Sequence, residues 1–328
     1  MKLVLLLIPF LLVGIAECRS QSIKIKQPTD FKVVGYYLLD SILKDTIQND
    51  RDYTFLDRIT HVNVAFINPD TSGNFMQNLA INSFIKKAHK KNVKVLASIA
   101  GGGPHTYYGR LLKDDKRKIL VNNLVSLVIK YDLDGIDVDL EGDDIDENYE
   151  NFVTELHGTL KLSGKLMTAA IASAYKDKLS DKALQQFDFL NIMSYDHTGP
   201  WRPQNPGQHS PYIMAEEDLE YWNKTRFIPK EKLVLGLPFY GYGFGTADSA
   251  VVSMNYKEIV AAYPASASAD SLVLPDKKIM YYNGASTIKK KTLLAIKKAG
   301  GVMIWQLLGD DPGENSLLKI INDSIYKN

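Results

Sequence analysis

The sequence contains very little cysteine and almost no net charge, and both shortages exclude classes of protein. Cys18 is the only cysteine in 328 residues, so the chain cannot form an internal disulfide. A net charge of +1 creates no field that would gather a polyanion, and nucleic acid is not an expected partner. The six histidines show no paired metal-ligand spacing, so the sequence predicts no metal site, and it predicts no cofactor.

Long hydrophobic runs are equally scarce, and the clearest one lies at the start of the chain. Residues 3–15 are apolar and follow Lys2, but this run is too short to span a bilayer by itself. Small and polar residues follow from Ala16, which predicts a secretory signal peptide over residues 1–16, cleaved near residues 16–20, and hence a secreted protein. Cys18 leaves one alternative open, a lipid anchor that would make the protein a cell-envelope lipoprotein.

The remaining chain alternates short strand-like segments with helical patterns, which predicts one α/β domain over residues 31–328. The strand segments begin near residues 33, 61, 93, 133, 166, 188, 233 and 302, and most are apolar on both faces, as in parallel sheets. Eight strand–helix units predict a closed (β/α)8 barrel, the TIM barrel. The longer gap before the last strand predicts a small insertion at about residues 245–284, between strands 7 and 8. We expect a monomer.

A row of acids stands out against this apolar background. Asp137, Asp139 and Glu141 occupy alternate positions of the fourth strand segment, and apolar residues fill the places between them. A period of two puts all three carboxylates on one face of a strand. In a sheet buried on both faces, crowded carboxylates lose hydration and repel one another, so their pKa values diverge. Diverging carboxyl pKa values on one surface are typical of an acid and a stabilising base that act together.

Acids and aromatic side chains are predicted to meet at one end of the barrel. Glu141 ends the fourth strand, Asp196 ends the sixth, and Trp305 lies on the eighth. Active sites of such barrels gather at the carboxyl ends of the strands. Aromatic faces stack on the apolar faces of sugar rings while carboxylates act on glycosidic oxygen, so a carbohydrate is the expected ligand.

The same residues resemble glycoside hydrolase family 18, the chitinases and their relatives. Asp134, Asp137, Asp139 and Glu141 match the DxxDxDxE signature of that family position for position. Residues 98–102, 193–201 and 237–241 are similar to its segments on the third, sixth and seventh strands. Two features depart from the family pattern, because Tyr242 stands where many members carry arginine and the inserted region is short.

The resemblance implies a secreted chitinase that cuts chitin or other oligosaccharides containing N-acetylglucosamine. The acetamido group of the substrate acts as the nucleophile in this family, and the anomeric configuration is retained. By the same resemblance, Glu141 is the acid, Asp139 orients the acetamide and stabilises the oxazolinium ion, Asp137 shares a proton with Asp139, and Tyr195 hydrogen-bonds the acetamide carbonyl. The implied substrate-binding residues are Tyr36, Phe66, Gly101, Gly102, Met193, Asp196, Trp201, Tyr240 and Trp305.

Several alternatives stay open on the sequence alone. Barrel interiors are filled by bulky side chains, so Tyr36, Phe66 and Trp305 fit plain core packing as well. The acid row mimics the start of an EF-hand calcium loop, but the twelfth place holds Asn148 and no helix precedes it. Two other functions also fit the resemblance, an endo-β-N-acetylglucosaminidase acting on N-glycans and a chitin-binding lectin without catalysis. The presence of Glu141 favours an enzyme over the lectin.

Overall fold

The computed structural model of the protein describes residues 30–48, 53–103, 105–246 and 250–327. The predicted signal peptide and Cys18 lie outside these residues. No helix within the described ranges is long and apolar enough to cross a membrane.

Eight parallel strands form a closed barrel, and every predicted strand position is occupied. In barrel order they are β1 (Lys32–Leu38), β2 (His61–Ala65), β3 (Lys94–Ala100), β4 (Gly135–Asp139), β5 (Leu166–Ile171), β6 (Phe189–Ile192), β7 (Leu233–Pro238) and β12 (Gly301–Trp305). β12 pairs in parallel with both β7 and β1, which closes the barrel. The predicted (β/α)8 barrel is confirmed.

Helices between the strands cover the outside of the barrel. They are α1 (Leu39–Gln48), α2 (Asn82–Lys90), α3 (Tyr108–Leu111), α4 (Asp114–Tyr131), α5 (Tyr149–Leu162), α6 (Asp181–Gln186), α7 (Tyr212–Glu220), α9 (Ala285–Lys298) and α10 (Leu317–Tyr326). Their apolar stripes explain this position, as on α5, where Phe152, Leu156 and Leu160 are fully buried. Burying each such side chain contributes about 1.5–3 kcal/mol relative to leaving it in water.

Two apolar clusters divide the interior of the protein. The larger one lies between the sheet and the helices and includes Ile136 and Val138 of β4. The smaller one lies within the barrel and at its mouth, and it includes Tyr36, Met193 and Met303. Alternate residues of β4 therefore face two environments. The apolar ones pack against the helices, and the acidic ones point into the barrel.

A small antiparallel sheet is inserted after β7. Its strands are β8 (Tyr240–Phe244), β9 (Val252–Asn255), β10 (Ser271–Val273) and β11 (Ile279–Tyr281), in the spatial order β10, β11, β8, β9, and the helix α8 (Tyr256–Ala262) follows β9. The sheet thus begins at residue 240, whereas the sequence pattern placed the start of the insertion near residue 245. Glycine alternates with aromatic residues in β8. No side chain fits at Gly241, because a Cβ there would lie only 2.4 Å from the carbonyl oxygen of Tyr281.

Candidate active site

Asp137 lies inside the barrel and accepts four hydrogen bonds. Its Oδ2 accepts from the hydroxyls of Tyr36 at 2.7 Å and Ser98 at 2.8 Å. Its Oδ1 accepts from Thr168 at 2.6 Å and from the amide nitrogen of Asn191 at 3.1 Å. Burial raises the pKa of Asp137, and the four donors oppose that rise because they stabilise the carboxylate. The donors come from four different strands, so this carboxylate is held in one orientation.

Asp139 lies one step further toward the mouth and has a different environment. The residue is only 3% exposed, and its Oδ1 has no hydrogen-bond partner among the residues that the structure describes. Burial, followed by the charges of Glu141 and Asp137, raises the pKa of Asp139 well above its ordinary value. A buried acceptor without a donor costs free energy, and such sites are typical of function.

Glu141 follows β4 and reaches the mouth of the barrel. Its Oε2 accepts a hydrogen bond of 2.6 Å from the hydroxyl of Tyr175, which stands just after β5. Burial raises the pKa of Glu141, the hydrogen bond from Tyr175 lowers it, and the charges of Asp196 and Asp144 raise it again. The net shift is upward, which keeps a proton on this carboxyl at a higher pH than on an exposed glutamate.

Asp196 stands opposite, after β6, in a backbone conformation that is rare for residues other than glycine. Its φ angle is +62°, in the left-handed region. The hydroxyls of Tyr240 and Tyr242, both on β8, donate hydrogen bonds of 2.5 Å and 3.2 Å to its Oδ1. The inserted sheet therefore fixes a carboxylate at the barrel mouth, and non-glycine residues held in this way are often found at functional sites.

These groups surround a cleft of about 560 Å³ at the carboxyl ends of the strands. Asp139, Glu141 and Tyr195 lie in it together with Trp305. The indole of Trp305 packs on Phe66, with ring centres 5.8 Å apart, and on Tyr36, with ring centres 5.3 Å apart. The cleft thus combines an aromatic surface with carboxylates, and its size fits a sugar rather than a metal ion. Within the described ranges, no cluster of three His, Cys, Asp or Glu side chains could hold a metal.

A second cavity of about 610 Å³ lies beside the cleft and is also lined by Glu141. Gly103, Glu141 and Tyr175 line both spaces. His105 and Asp144 line the second one, with His105 Nδ1 3.3 Å from Asp144 Oδ2. Glu141 therefore borders both spaces.

The sequence that forms this site matches a known protein family. Residues 32–310 match the family model described as Glycosyl hydrolases family 18. The chain belongs to this family. The resemblance inferred from the acid row and the strand segments is therefore confirmed, and two acids of the DxxDxDxE signature, Asp139 and Glu141, line the cleft.

Relatives of this family 18 chain include chitinases of known structure. A GH18 chitinase from the chitin utilization locus of Flavobacterium johnsoniae is 37% identical with a TM-score of 0.82, over 91% of this chain and 94% of that one. A chitinase from Bacteroides thetaiotaomicron is 29% identical with a TM-score of 0.76, over 91% and 97%. The "Probable chitinase 2" of Drosophila melanogaster is 28% identical over 69% of this chain, and the match spans 58% of that protein's length.

The family 18 residues inferred from sequence occupy two layers of the site. Those that line the cleft are Asp139, Glu141, Tyr195, Gly102, Met193, Asp196, Trp201 and Trp305. The others lie behind this surface, where Tyr36 bonds Asp137, Phe66 supports Trp305, and Tyr240 bonds Asp196. Gly101 has a φ of +93°, and a Cβ on it would lie 2.3 Å from the Phe66 ring, so only glycine fits there.

Sequence reasoning missed Tyr175, although its hydroxyl donates a hydrogen bond of 2.6 Å to Glu141. Ala172, Gly103 and Arg202 also line the cleft without having been singled out. Tyr175 stands four residues after the end of β5, and the carboxyl end of a barrel strand was the signal that could have identified it. No motif surrounds Tyr175, and the fifth strand carries no acid, so no local pattern marks this residue.

Proposed function

We propose that this family 18 protein is a chitinase that hydrolyses β-1,4-linked N-acetylglucosamine chains by a substrate-assisted, retaining mechanism. The observation that carries the proposal is the buried Oδ1 of Asp139, which has no hydrogen-bond partner among the described residues, while Asp139 lines the same cleft as Glu141 and Trp305. An acetamide N–H of a bound sugar is the donor that this oxygen lacks. Two bacterial chitinases that are 37% and 29% identical to the chain, each over 91% of its length, support the same activity.

In the first step, Glu141 donates its proton to the glycosidic oxygen, the C1–O bond breaks, and the bonding electrons leave with that oxygen. The acetamide oxygen of the same sugar attacks C1, which gives a positively charged oxazolinium ion. Asp139 accepts a hydrogen bond from the acetamide N–H and stabilises this ion, and Asp137 shares a proton with Asp139 as the pair titrates together. Glu141 then removes a proton from water, and the water oxygen attacks C1 from the side that the leaving group occupied. The C1–O bond to the acetamide breaks at the same time, and its electron pair restores the neutral acetamide.

Tyr195 is placed to hold the acetamide during this step. Among the residues that the structure describes, its hydroxyl donates one hydrogen bond, to the sulfur of Met303 at 3.7 Å, and sulfur is a weak acceptor. A phenol with such a poor partner turns easily toward a carbonyl oxygen in the cleft. Burial, followed by the charge of Asp139, raises the pKa of Tyr195 well above its ordinary value, so it acts as a hydrogen-bond donor.

The proposal is tested by comparing three activities of the purified protein. Incubation with chitooligosaccharides of four to six sugars is expected to release shorter acetylated oligomers with the β configuration at the new reducing end, as followed by NMR. A glycoprotein with N-glycans distinguishes an endo-β-N-acetylglucosaminidase, which would release its glycans instead. Binding of the oligomers without any cleavage would identify a lectin and overturn the proposed enzyme.

We also propose that the protein is exported, since chitin lies outside cells and residues 1–16 have the pattern of a signal peptide. The mass of the mature protein, isolated from the medium and from the membrane fraction of the producing cells, tests this. Cleavage near residues 16–20 with no added mass supports secretion. A mature chain that begins at Cys18 and carries acyl groups would support the lipoprotein instead.

The rate is expected to be highest on the mildly acidic side of neutrality. Glu141 must be protonated to act, and its pKa lies above the ordinary value because the side chain is buried. As pH rises through this raised pKa, the acid loses its proton and kcat/KM falls. Initial rates on a soluble oligomer between about pH 4 and pH 9, a range that brackets a perturbed carboxyl group, measure this. A rate that stays constant over the whole range would contradict the role of Glu141.

Replacing Trp305 by alanine is expected to raise KM by about 10-fold or more, because the sugar loses its stacking surface. Trp201→Ala provides the matched comparison, since Trp201 also lines the cleft but is 53% exposed. Its substitution is expected to change KM less. Equal effects of the two substitutions would show that Trp305 does not form the floor of the main sugar site. Melting curves of both variants separate binding from the packing of Trp305 on Phe66.

A further inference from the structure

Tyr175 forms a hydrogen bond with Glu141 that has no role in the mechanism proposed above. The phenol hydroxyl donates to Oε2 of Glu141 at 2.6 Å, a short hydrogen bond of the kind made to charged groups. Tyr175 also lines both spaces that Glu141 borders. We propose that Tyr175 is a positioning residue for the acid, which assigns the transferred proton to Oε1 and sets the pH at which Glu141 loses it. This inference rests on the proposed function.

The geometry distinguishes the two oxygens of Glu141. Oε2 is occupied by the tyrosine, whereas Oε1 faces the loop after β3 and lies 3.6 Å from the position of a Cβ on Gly102. Gly102 lines the cleft, so this side of the carboxyl faces the cleft. A proton on Oε1 is therefore the one that can reach a glycosidic oxygen, and Oε2 remains an acceptor throughout.

Tyr175 can only act as a donor in this pair. Burial, followed by the charge of Glu141, raises its pKa far above the ordinary value for tyrosine, so the hydroxyl keeps its proton. During the first step the Oε1 proton moves to the glycosidic oxygen, the C1–O electron pair leaves with that oxygen, and Glu141 becomes negatively charged. The hydrogen bond from Tyr175 strengthens as this charge develops, so it stabilises the transition state more than the ground state.

Other charges around Glu141 act on the same proton, and Tyr175 opposes most of them. Carboxylates face it from β4, from the turn after β4 and from the loop after β6, and a histidine faces it from the loop after β3; these are Asp139, Asp144, Asp196 and His105. The carboxylates and burial favour the protonated acid, while Tyr175 favours the carboxylate. Without the phenol, Glu141 would become a weaker acid.

The test is the pH profile of kcat/KM for Tyr175→Phe, which removes one hydroxyl and keeps the ring. We expect kcat at the optimum to fall about 10-fold, KM to change little, and the alkaline limb to move up by about one pH unit, as the loss of one hydrogen bond to a charged group predicts. Tyr107→Phe is the matched control, because Tyr107 lies near the second cavity but stacks on Tyr108 at 5.1 Å. Its profile is expected to match that of the unaltered protein.

An alkaline limb of Tyr175→Phe at its original position would overturn the inference. Partial unfolding cannot imitate the expected shift, because fewer folded molecules lower all rates equally without moving the limb. The result is also separable from the proposed function. If Glu141→Gln abolishes hydrolysis while Tyr175→Phe keeps the original limb, only the positioning role fails. If Glu141→Gln keeps its activity, the proposed function itself fails.

Discussion

Replacement of Glu141 by glutamine is expected to lower kcat by about 1000-fold or more, the upper part of the range for losing a general acid. Glutamine keeps the size of the side chain and can still accept the hydrogen bond from Tyr175 through its amide oxygen, but it has no proton to give to the leaving oxygen. The acid acts mainly in the transition state, so oligosaccharide binding should persist. Steady-state kinetics and calorimetric titration of the variant with a chitooligosaccharide measure both quantities.

A decrease of kcat/KM by less than about 10-fold would show that another group protonates the substrate. Asp143→Asn serves as the control, because Asp143 lies two residues further along the chain and its side chain is fully exposed beside Lys178. It contacts neither Glu141 nor Asp139 by any hydrogen bond that the structure describes. Its replacement tests whether the loss of any acid near the mouth has the same effect.

Replacement of Asp139 by asparagine is expected to lower kcat by about 100- to 1000-fold, the range found when a preorganised electrostatic contact to the reacting group is removed. The side chain keeps its shape, but it can no longer carry the negative charge that stabilises the oxazolinium ion. Since this ion forms only along the reaction path, kcat should fall much more than KM rises. Steady-state kinetics on the same soluble oligomer as used for Glu141→Gln gives both constants.

The same variant is expected to melt at the same temperature as the unaltered protein or higher at neutral pH. Folding raises the pKa of Asp139, so the folded state binds a proton more tightly than the unfolded chain. The stability that this gives is complete below the unfolded pKa and is lost as pH rises through the folded pKa, so at neutral pH the buried acid costs stability. A strongly lowered melting temperature would show that Asp139 holds the fold together rather than serving the reaction.

The acid row was predictable from the sequence because it depends on one local regularity. A strand repeats every two residues, so the positions of Asp137, Asp139 and Glu141 on one face followed without any tertiary information. The eight strand positions followed for a similar reason, since strands buried on both faces are apolar throughout. Long-range proximity was inferred only where the barrel rule supplied it, as for Asp196 and Trp305.

The depth of each aromatic side chain was not predictable, because it depends on packing across the barrel. Tyr36 and Trp305 lie on neighbouring strands, yet Tyr36 is fully buried against Asp137 while Trp305 lines the cleft. Core packing is therefore the observed role of Tyr36, while sugar contact by Trp305 stays a prediction. The contact of Tyr175 with Glu141 was not predictable, because it joins residues 34 positions apart and no local sequence pattern indicates it.

The closure of the barrel between its first and last strands affects when the protein acquires activity during its synthesis. Trp305 lies on β12, the last barrel strand in the sequence. It packs on Tyr36 of β1, the first barrel strand, because β12 and β1 pair side by side. A ribosome therefore delivers the three acids long before it delivers the indole that completes the sugar platform. Nascent chains that stall before residue 305 would carry the full acid row but lack the proposed stacking surface for the substrate.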